Sequence, residues 1–294
     1  MRPIAFLSMD DLSGYVCDDD LAIPPLESLG WKVETVSWKD ISADWRKYEA
    51  VIVRSSWDYQ NHFDSFLAVL AEIDSCTRLI NPLPMMRWNA EKGYLRELES
   101  AGISVVRTLW DNHSLDSALI DEYLLELGTE EIVVKPTVSA GAIDTFRLTR
   151  DAAFHAEANS RFTGRAYMVQ PFMQGVVNEG EYSLFFFGGQ FSHAILKSPK
   201  AGDFRVQEEH GGDMCSVSPN SELRELSLSV LSRLSSVPLY ARVDFVRASD
   251  GGFQLMELEL IEPSLYLRMD PSSPEKFARA IDRFLAPVKT CLAE

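Results

Sequence analysis

Two rhythms of apolar residues run along the chain. Through residues 1–84, short apolar runs suited to strands alternate with stretches of helical period. Residues 4–7, 33–36, 50–53 and 78–81 read as strands, and 21–29 (stopped by Gly30) and 63–73 as helices. Such a βαβ alternation predicts a small parallel sheet covered by helices. Ligands of such sheets collect beyond the carboxyl ends of the strands. Arg54-Ser55-Ser56-Trp57-Asp58-Tyr59 falls there, directly after Val51-Ile52-Val53.

Asn81-Pro82-Leu83-Pro84 punctuates the chain. A helix is expected over 89–100, stopped by Gly102, and a more polar one over 114–127. Strands at 131–135 and 142–148 then flank a loop of small residues, 137–141. More strands are expected at 167–170, 181–187, 190–196, 241–246 and 253–260, with helices over 222–234 and 274–284. The fold class is therefore α/β followed by α+β, with the later sheets antiparallel. Ladder pairing is expected to break at Pro171, freeing backbone groups beside Gln170 for a heterocycle.

Composition narrows the function. The 294 residues carry 28 Lys and Arg against 44 Asp and Glu, a formal charge of −16, which repels phosphate backbones and anionic lipid. No nucleic acid and no membrane are expected as partners. Four scattered cysteines (Cys17, Cys76, Cys215, Cys291) without a CxxC pair read as reduced thiols, neither a disulfide framework nor a zinc site. The opening apolar run is too short for a signal peptide, so a cytoplasmic location is expected.

The most informative segment is 241–260. Ser249-Asp250-Gly251-Gly252 between two alternating runs signals a β-hairpin. With those four residues as the loop, Ala248 pairs with Phe253, Asp244 faces Glu257, and Glu259 shares their face. Val243, Phe245, Met256, Leu258 and Leu260 would form the apolar face behind. Carboxylates at ~4 Å repel by about 4 kcal/mol at an effective dielectric near 20, which a cation between them relieves. Carboxylate-only ligation suits Mg²⁺ or Mn²⁺, and Mg²⁺ commonly arrives with phosphates. The competing reading is a solvated acidic face, partly neutralised by Arg242 opposite Glu259.

Cations suited to the remaining phosphate charge stand out in so acidic a chain. Lys135 ends the apolar run Ile132-Val133-Val134, and Ser139-Ala140-Gly141 follows as a pliable loop. No Walker A pattern is present. Lys197, Lys200 and Arg205 cluster after the run at 190–196.

Taken in order, Asn89-Ala90-Glu91-Lys92, Val133-Val134-Lys135-Pro136, Gln170-Pro171-Phe172, Lys197 to Arg205, His210-Gly211-Gly212, Val243-Asp244-Phe245 and Glu257-Leu258-Glu259 resemble the ATP-grasp ligases across nearly the whole chain. Arg54 to Tyr59, Gly180-Glu181-Tyr182-Ser183 and Glu259 to Ser264 are similar to the branch of the O-ureido-serine cyclo-ligase, with glutathione synthetase and RimK-type ligases more distant. The resemblance implies an ATP-grasp fold: an N-terminal α/β substrate-side domain (1–84), a central lid subdomain (85–168) and a C-terminal catalytic subdomain (169–294), the last two sandwiching the nucleotide. It implies ATP and Mg²⁺ as cofactors, with Mn²⁺ as a substitute. Lys92 and Lys135 would hold phosphates, with Ser139 and Gly141 in the covering loop. Gln170 and Phe172 would bracket adenine, Glu179 or Glu181 would take the ribose, and Asp244, Glu257 and Glu259 would bind the metal. Lys197 and Arg205 would steady the transferred phosphoryl group, and Arg54 or Asp58 the acceptor substrate. Two positions depart from the family: Glu259 stands where an Asn is usual, and Lys197 where glutathione synthetases commonly have an Arg with bidentate geometry.

The expected activity is ATP-dependent joining of a carboxylate to an amine, or cyclisation, on a small amino-acid-like substrate through an acyl-phosphate. Small-molecule carboxylate and amine substrates are the expected partners, and a homodimer is an open option. A nucleotide-binding sensor or degenerate subunit without turnover is the alternative of a different class, and a kinase stopping at phosphoryl transfer is a further one.

Overall fold

A computed structural model describes residues 1–139, 141–151 and 155–286. Ala140 of the small-residue loop and Cys291 lie outside the described residues. The N-terminal segment follows its alternating pattern. Strand β1 (Arg2–Ser8), helix α1 (Ile23–Ser28), β2 (Trp31–Ser37), β3 (Ala50–Ser55), α2 (Phe63–Cys76) and β4 (Arg78–Ile80) build a parallel sheet in the order β2-β1-β3-β4. The helix expected over 21–29 opens as a tighter turn, Asp19–Ala22, and turns α-helical only where Pro24 and Pro25 occupy the first turn. Their missing N–H groups cost nothing there.

The single helix expected over 89–100 is two, α3 (Leu83–Asn89) and α4 (Tyr94–Ser100). The break includes Gly93, a poor helix former, and it places Lys92 in the connecting turn. Next come β5 (Leu109–Asp111), α5 (Ser117–Leu127), β6 (Ile132–Pro136), β7 (Phe146–Leu148), α6 (His155–Phe162) and β8 (Tyr167–Pro171). Their strands form an antiparallel sheet in the order β5-β8-β6-β7. The strand expected over 142–148 begins only at Phe146, because Ala142 and Asp144 turn the chain with φ of +55° and +54°. The division at 168/169 crosses β8, whose partners β5 and β6 both lie in this central sheet. Pairing continues through Pro171, opposite Ile132, and the Phe172 N–H donates to the Glu131 carbonyl, so the ladder is not broken where proline suggested.

The last segment holds α7 (Gln174–Asn178), β9 (Glu181–Phe187), β10 (Gln190–Ser198), β11 (Asp213–Ser216), α8 (Ser221–Leu231), β12 (Tyr240–Arg247), β13 (Phe253–Glu259) and α9 (Ser273–Leu285). Its antiparallel sheet has the order β11-β10-β9-β12-β13. In the acidic hairpin Asp244 does face Glu257, and Arg242 faces Glu259. The path to that register differs from the simple count. Arg247 pairs with Phe253, and the Ala248 N–H donates to the Gly252 carbonyl, so the loop is one residue shorter than expected. A β-bulge between Asp244 and Phe245 then sets Phe245 opposite Leu255 and restores the acidic pairing. Leu255 takes the core position expected of Met256, which packs instead beside Val176, Val206 and Val246.

One face of this sheet (Leu184, Phe186, Val243, Phe245, Leu258) packs on Leu95 and Leu98 of α4 and Leu223 and Val230 of α8. Phe185, Phe187, Ile195 and Tyr240 on the other face join Ile4, Phe6 and Trp31 of the N-terminal sheet and Phe277 and Ile281 of α9 in one core. At Leu255 the outer edge of β13 pairs with backbone, its N–H donating to the Ser104 carbonyl (2.8 Å) and its carbonyl accepting from Val106 N–H (3.1 Å); further along, the edge is occupied by side chains. The Asn89 amide accepts from Leu260 N–H (2.8 Å) and donates to the Leu258 carbonyl (2.8 Å), Asn81 donates to the Leu260 carbonyl (2.9 Å), and the Tyr94 hydroxyl accepts from Leu258 N–H (3.0 Å). These side chains stand in for a further strand.

Arg54 belongs to this scaffold and not to a substrate site. It is fully buried, pairs with Asp19 (3.0 Å) and donates to the Pro263 carbonyl (2.9 Å), with its guanidinium 5.0 Å from the Tyr240 ring centroid. It thereby ties β3 to the segment after β13. Removing one partner of a buried pair strands the other charge, so Arg54→Ala is expected to lower stability by about 3–5 kcal/mol. Urea unfolding measures this, and a loss below about 1 kcal/mol would show that Asp19 is satisfied without it.

Candidate active site

Antiparallel register sets charged side chains in a row across four strands. Lys197 on β10 lies opposite Glu181 on β9, Ser183 opposite Asp244 on β12, and Asp244 opposite Glu257 on β13. Gly180 permits the start of this row: its φ is +124°, and a Cβ there would stand 2.7 Å from the Lys197 carbonyl oxygen. The row forms part of the wall of a cavity of about 300 Å³, a size suited to small ligands.

Each carboxylate of the row has cationic company. Lys197 Nζ lies 2.5 Å from Glu181 and 3.5 Å from Asp244. Arg242 bridges Asp244 (3.0 Å) and Glu259, and Lys92 lies 3.1 Å from Glu257. Ser183 Oγ donates to Asp244 at 2.6 Å. Burial would push Asp244 up, but Arg242 and Lys197 outweigh it and hold the carboxyl below its usual value; Lys92 and Lys135 do the same for Glu257. Burial likewise works against a charged Lys197, and Asp244 and Glu181 reverse that, raising it. Lys135 is held below its ordinary value by burial, with Glu257 acting against the shift. Among the described residues its Nζ has no ion-pair partner within 4.0 Å. Glu259 is pushed up to about 7 by burial, an effect Arg242 opposes and Glu257 and Asp244 reinforce.

One oxygen from each of Asp244, Glu257 and Glu259 lies within 4.8 Å of the others. An all-carboxylate donor set fits a hard divalent cation, and Arg242 shares two of the three groups. Of the competing reading, the Arg242–Glu259 pairing is present, but the face is not solvated: Asp244 is 1% exposed.

Of the other residues singled out in the sequence, Lys135, Ser139, Gly141, Gln170, Phe172 and Arg205 line the same cavity. The covering loop is tied on two sides: Lys92 Nζ donates to the Ser139 carbonyl (2.7 Å), and the His210 ring Nε2 to the Gly141 carbonyl (3.1 Å). The far end is apolar, with Val133, Phe172, Met173, Val176, Phe204, Val206 and Met256. Gln170 Nε2 is occupied by Thr108 Oγ1 (2.9 Å), and Arg205 by Asp203 (2.8 Å).

Three expected residues lie elsewhere. Arg54 is in the core, as above. Asp58 binds Lys39 and the Trp38 indole N–H (2.7 Å), and Glu179 binds Arg247 (2.6 Å) and the Tyr182 hydroxyl (2.6 Å). Local pairing has claimed each carboxylate. Their neighbours Trp57, Tyr59 and Glu181 line the cavity instead. Sequence reasoning assigned no site role to Tyr15, Gln60, Glu262 or Tyr266, which also line it. Glu262 stood within a quoted motif, Glu259 to Ser264. Tyr266 carries a φ of +46°, which no sequence pattern signals.

Burial pushes the Glu262 carboxyl up to about 8 from 4.5, and the charge of Glu259 adds to the shift. A carboxyl that holds its proton longer in the folded than in the unfolded chain contributes stability that is complete below about 4.5 and lost as pH rises through about 8. Glu262→Gln keeps a neutral group at every pH. Its melting temperature is therefore expected to gain on that of the wild type between pH 5 and 8.5, by about 2–4 °C for each kcal/mol the wild type loses. Parallel melting curves for the two proteins across that range would contradict the shift.

The comparisons agree with this architecture. The family model for the N-terminal domain of D-cycloserine synthetase DcsG matches residues 4–81. Over 288 residues the chain is 33% identical to the cycloserine biosynthesis protein DcsG of Streptomyces lavendulae, spanning 91% of this chain and 95% of that one. The crystal structure of D-cycloserine synthetase DcsG superposes with a TM-score of 0.84 at 28% identity, over 97% of this chain and 100% of that one. The ATP-grasp ligase PsnB, solved with a variant of its minimal precursor, Mg and ADP, shares the fold with a TM-score of 0.66 at 16% identity, over 96% and 98% of the two chains. A RimK domain ATP-grasp protein of Sphaerobacter thermophilus shares it with a TM-score of 0.68 at 17% identity, over 95% and 99%. The chain belongs to the DcsG family of ATP-grasp ligases, ATP-dependent enzymes that form an amide-type bond.

Proposed function

We propose that this enzyme activates the carboxylate of a small amino-acid-like substrate as an acyl-phosphate and lets a nitrogen nucleophile capture it. The relatives are a cycloserine biosynthesis protein and a D-cycloserine synthetase, which favours a nitrogen on the same molecule and hence a ring. ADP and phosphate are the other products. The observation that carries the reading is the charged row: three carboxylates with oxygens within 4.8 Å of one another, faced by Lys92, Lys135, Lys197 and Arg242 in one cavity with an apolar far end.

A substrate carboxylate attacking the γ-phosphoryl group of ATP brings anion to anion, and the protein must offset that repulsion. Asp244, Glu257 and Glu259 would hold Mg²⁺, which would supply positive charge against the phosphates. Lys135, without an ion-pair partner in the described residues, is free to hold phosphate, and Lys92 joins it from the turn between α3 and α4. The apolar end around Phe172 and Met256 would take the adenine, with Gln170 beside it. Lys197 and Arg205 would steady the group in transit, each exchanging a carboxylate partner for a phosphoryl oxygen. Glu181 keeps Lys197 charged and aimed at the centre, and its own pairing leaves the ribose role with less support. The loop carrying Ser139 and Gly141, tied down by Lys92 and His210, would keep water from the acyl-phosphate.

Asp244→Asn and Glu257→Gln remove charge at nearly constant volume. Each is expected to lower phosphate release with Mg²⁺-ATP and an amino-acid panel at least a hundredfold, with the melting transition retained. Near wild-type release at limiting Mg²⁺ would refute the metal assignment. Lys135→Ala should weaken ATP binding at least tenfold by calorimetry, and unchanged affinity would remove Lys135 from the phosphate site. Tight ATP binding with no release under any substrate would instead favour a nucleotide-binding module.

A further inference from the structure

Between β10 and β11 the chain makes an excursion, 199–212, whose residues Phe204, Arg205, Val206 and His210 line the cavity. Its first half is held from within and by apolar contact. Asp203 accepts from the Phe204 and Arg205 N–H groups (2.7 and 3.0 Å), Phe204 meets the Phe172 ring edge-on with centroids 6.1 Å apart, and Val206 packs with Val106, Val176 and Val246. The second half is a single tight turn, Glu208–His210, with none of its residues buried. Among the described residues, two polar side-chain bonds reach the excursion from outside, and both end on this turn. His210 donates to the Gly141 carbonyl (3.1 Å), and Glu208 accepts from Arg268 (2.6 Å).

Arg268 stands on a fixed base. The Leu265 carbonyl accepts from the His193 ring N–H (3.0 Å), the Leu267 carbonyl from Ser273 Oγ (2.8 Å) and the Met269 carbonyl from Ser216 Oγ (2.5 Å). From there one arm of the guanidinium reaches Glu208, and the other donates to Asp18 (2.8 Å), whose segment carries Tyr15 into the cavity wall. Among the described residues, neither Asp18 nor Glu208 has another ion-pair partner within 4.0 Å. An isolated exposed pair contributes little to stability. Here two pairs share one planar fork, the Arg268 side chain is 30% exposed and Asp18 11%, and a lysine ammonium would lack that fixed geometry.

We infer that Arg268 is a positioning residue of the nucleotide site: by holding the Glu208–His210 turn against the 265–269 segment and Asp18, it keeps the His210 ring on the Gly141 carbonyl. The loop carrying Gly141 is thereby retained from a side that Lys92 does not reach, and bound nucleotide leaves more slowly. Arg268 does not line the cavity and acts only through Glu208 and His210. The inference rests on the reading that this cavity takes the nucleotide, and it adds to that reading a residue outside the wall.

The test is stopped-flow dissociation of mant-ADP from the full chain in Mg²⁺, chased with excess unlabelled ADP. Arg268→Gln, Glu208→Gln and His210→Ala are each expected to speed dissociation threefold or more, with the melting transition retained. The links act in series, so Arg268→Gln combined with His210→Ala should be no faster than the faster single variant, whereas independent structural damage would multiply the two effects. An unchanged rate in either Arg268→Gln or Glu208→Gln, or multiplied rates in the double variant, would overturn the inference. Lys135→Ala separates this from failure of the underlying reading. Unchanged mant-ADP affinity in that variant would remove the nucleotide from this cavity and the inference with it; weakened affinity beside an unchanged rate in Arg268→Gln would overturn the inference alone.

Discussion

Opposite charges held within about 4 Å of one another on a single sheet face are the constraint on which the rest of this molecule depends. Four carboxylates that would repel one another are kept together by Lys92, Lys197 and Arg242. In this largely buried setting an unpaired member would be costly, so the row is stable only as a set. Under the proposed function, the cations that make this row tolerable are the groups that would receive phosphate, and ligand binding would be an exchange of partners within a preformed field, with little reorganisation needed at the moment of reaction.

The field is only as precise as the strands that carry it, and the chain secures the outermost of them by unusual means. β13 lies at the sheet edge, where backbone groups normally face water or invite another chain. A backbone bridge from 104–106 covers Leu255, and Asn81, Asn89 and Tyr94 occupy the groups at Leu258 and Leu260 from outside. Arg54 and the Tyr240 hydroxyl, which reaches the Val53 and Ile261 carbonyls, fasten the N-terminal sheet to the same region. One hydrophobic core then runs from β1 to α9, and the cavity opens where that core gives way to charge.

The parallel and antiparallel regions could be read from the sequence because their apolar periods differ. Element ends were less legible: Ala142 and Asp144 turn the chain although their neighbours look strand-like, and Gly93 splits a helix whose pattern is otherwise continuous. Within the cavity, alternation along strands dictates the face of Asp244, Glu257, Glu259, Lys135 and Lys197, whereas Lys92, Ser139, Gly141, Phe172 and Arg205 reach the same wall from turns and loops, which motif resemblance and not periodicity marks. Arg54, Asp58 and Glu179 misled because nothing in a linear pattern reveals that Asp19, Lys39 and Arg247 lie waiting for them. Gln60, Glu262 and Tyr266 get no role from the sequence for the converse reason: only the fold brings them to the cavity wall.

The bulge in the acidic hairpin has an effect on how this enzyme can diversify. Three loop residues and one extra residue at Met256 together give the register that a four-residue loop without a bulge would have given. The two irregularities compensate, which preserves side-chain parity at Asp244 and Glu257. A single insertion or deletion within the paired arms, 245–248 or 252–256, would turn Glu257 and Glu259 to the core face and Leu258 to the cavity unless the bulge changed with it. A length change confined to the three turn residues leaves the alternation intact, which makes the tip of this ribbon a tolerant place for evolution to tinker and its arms an intolerant one.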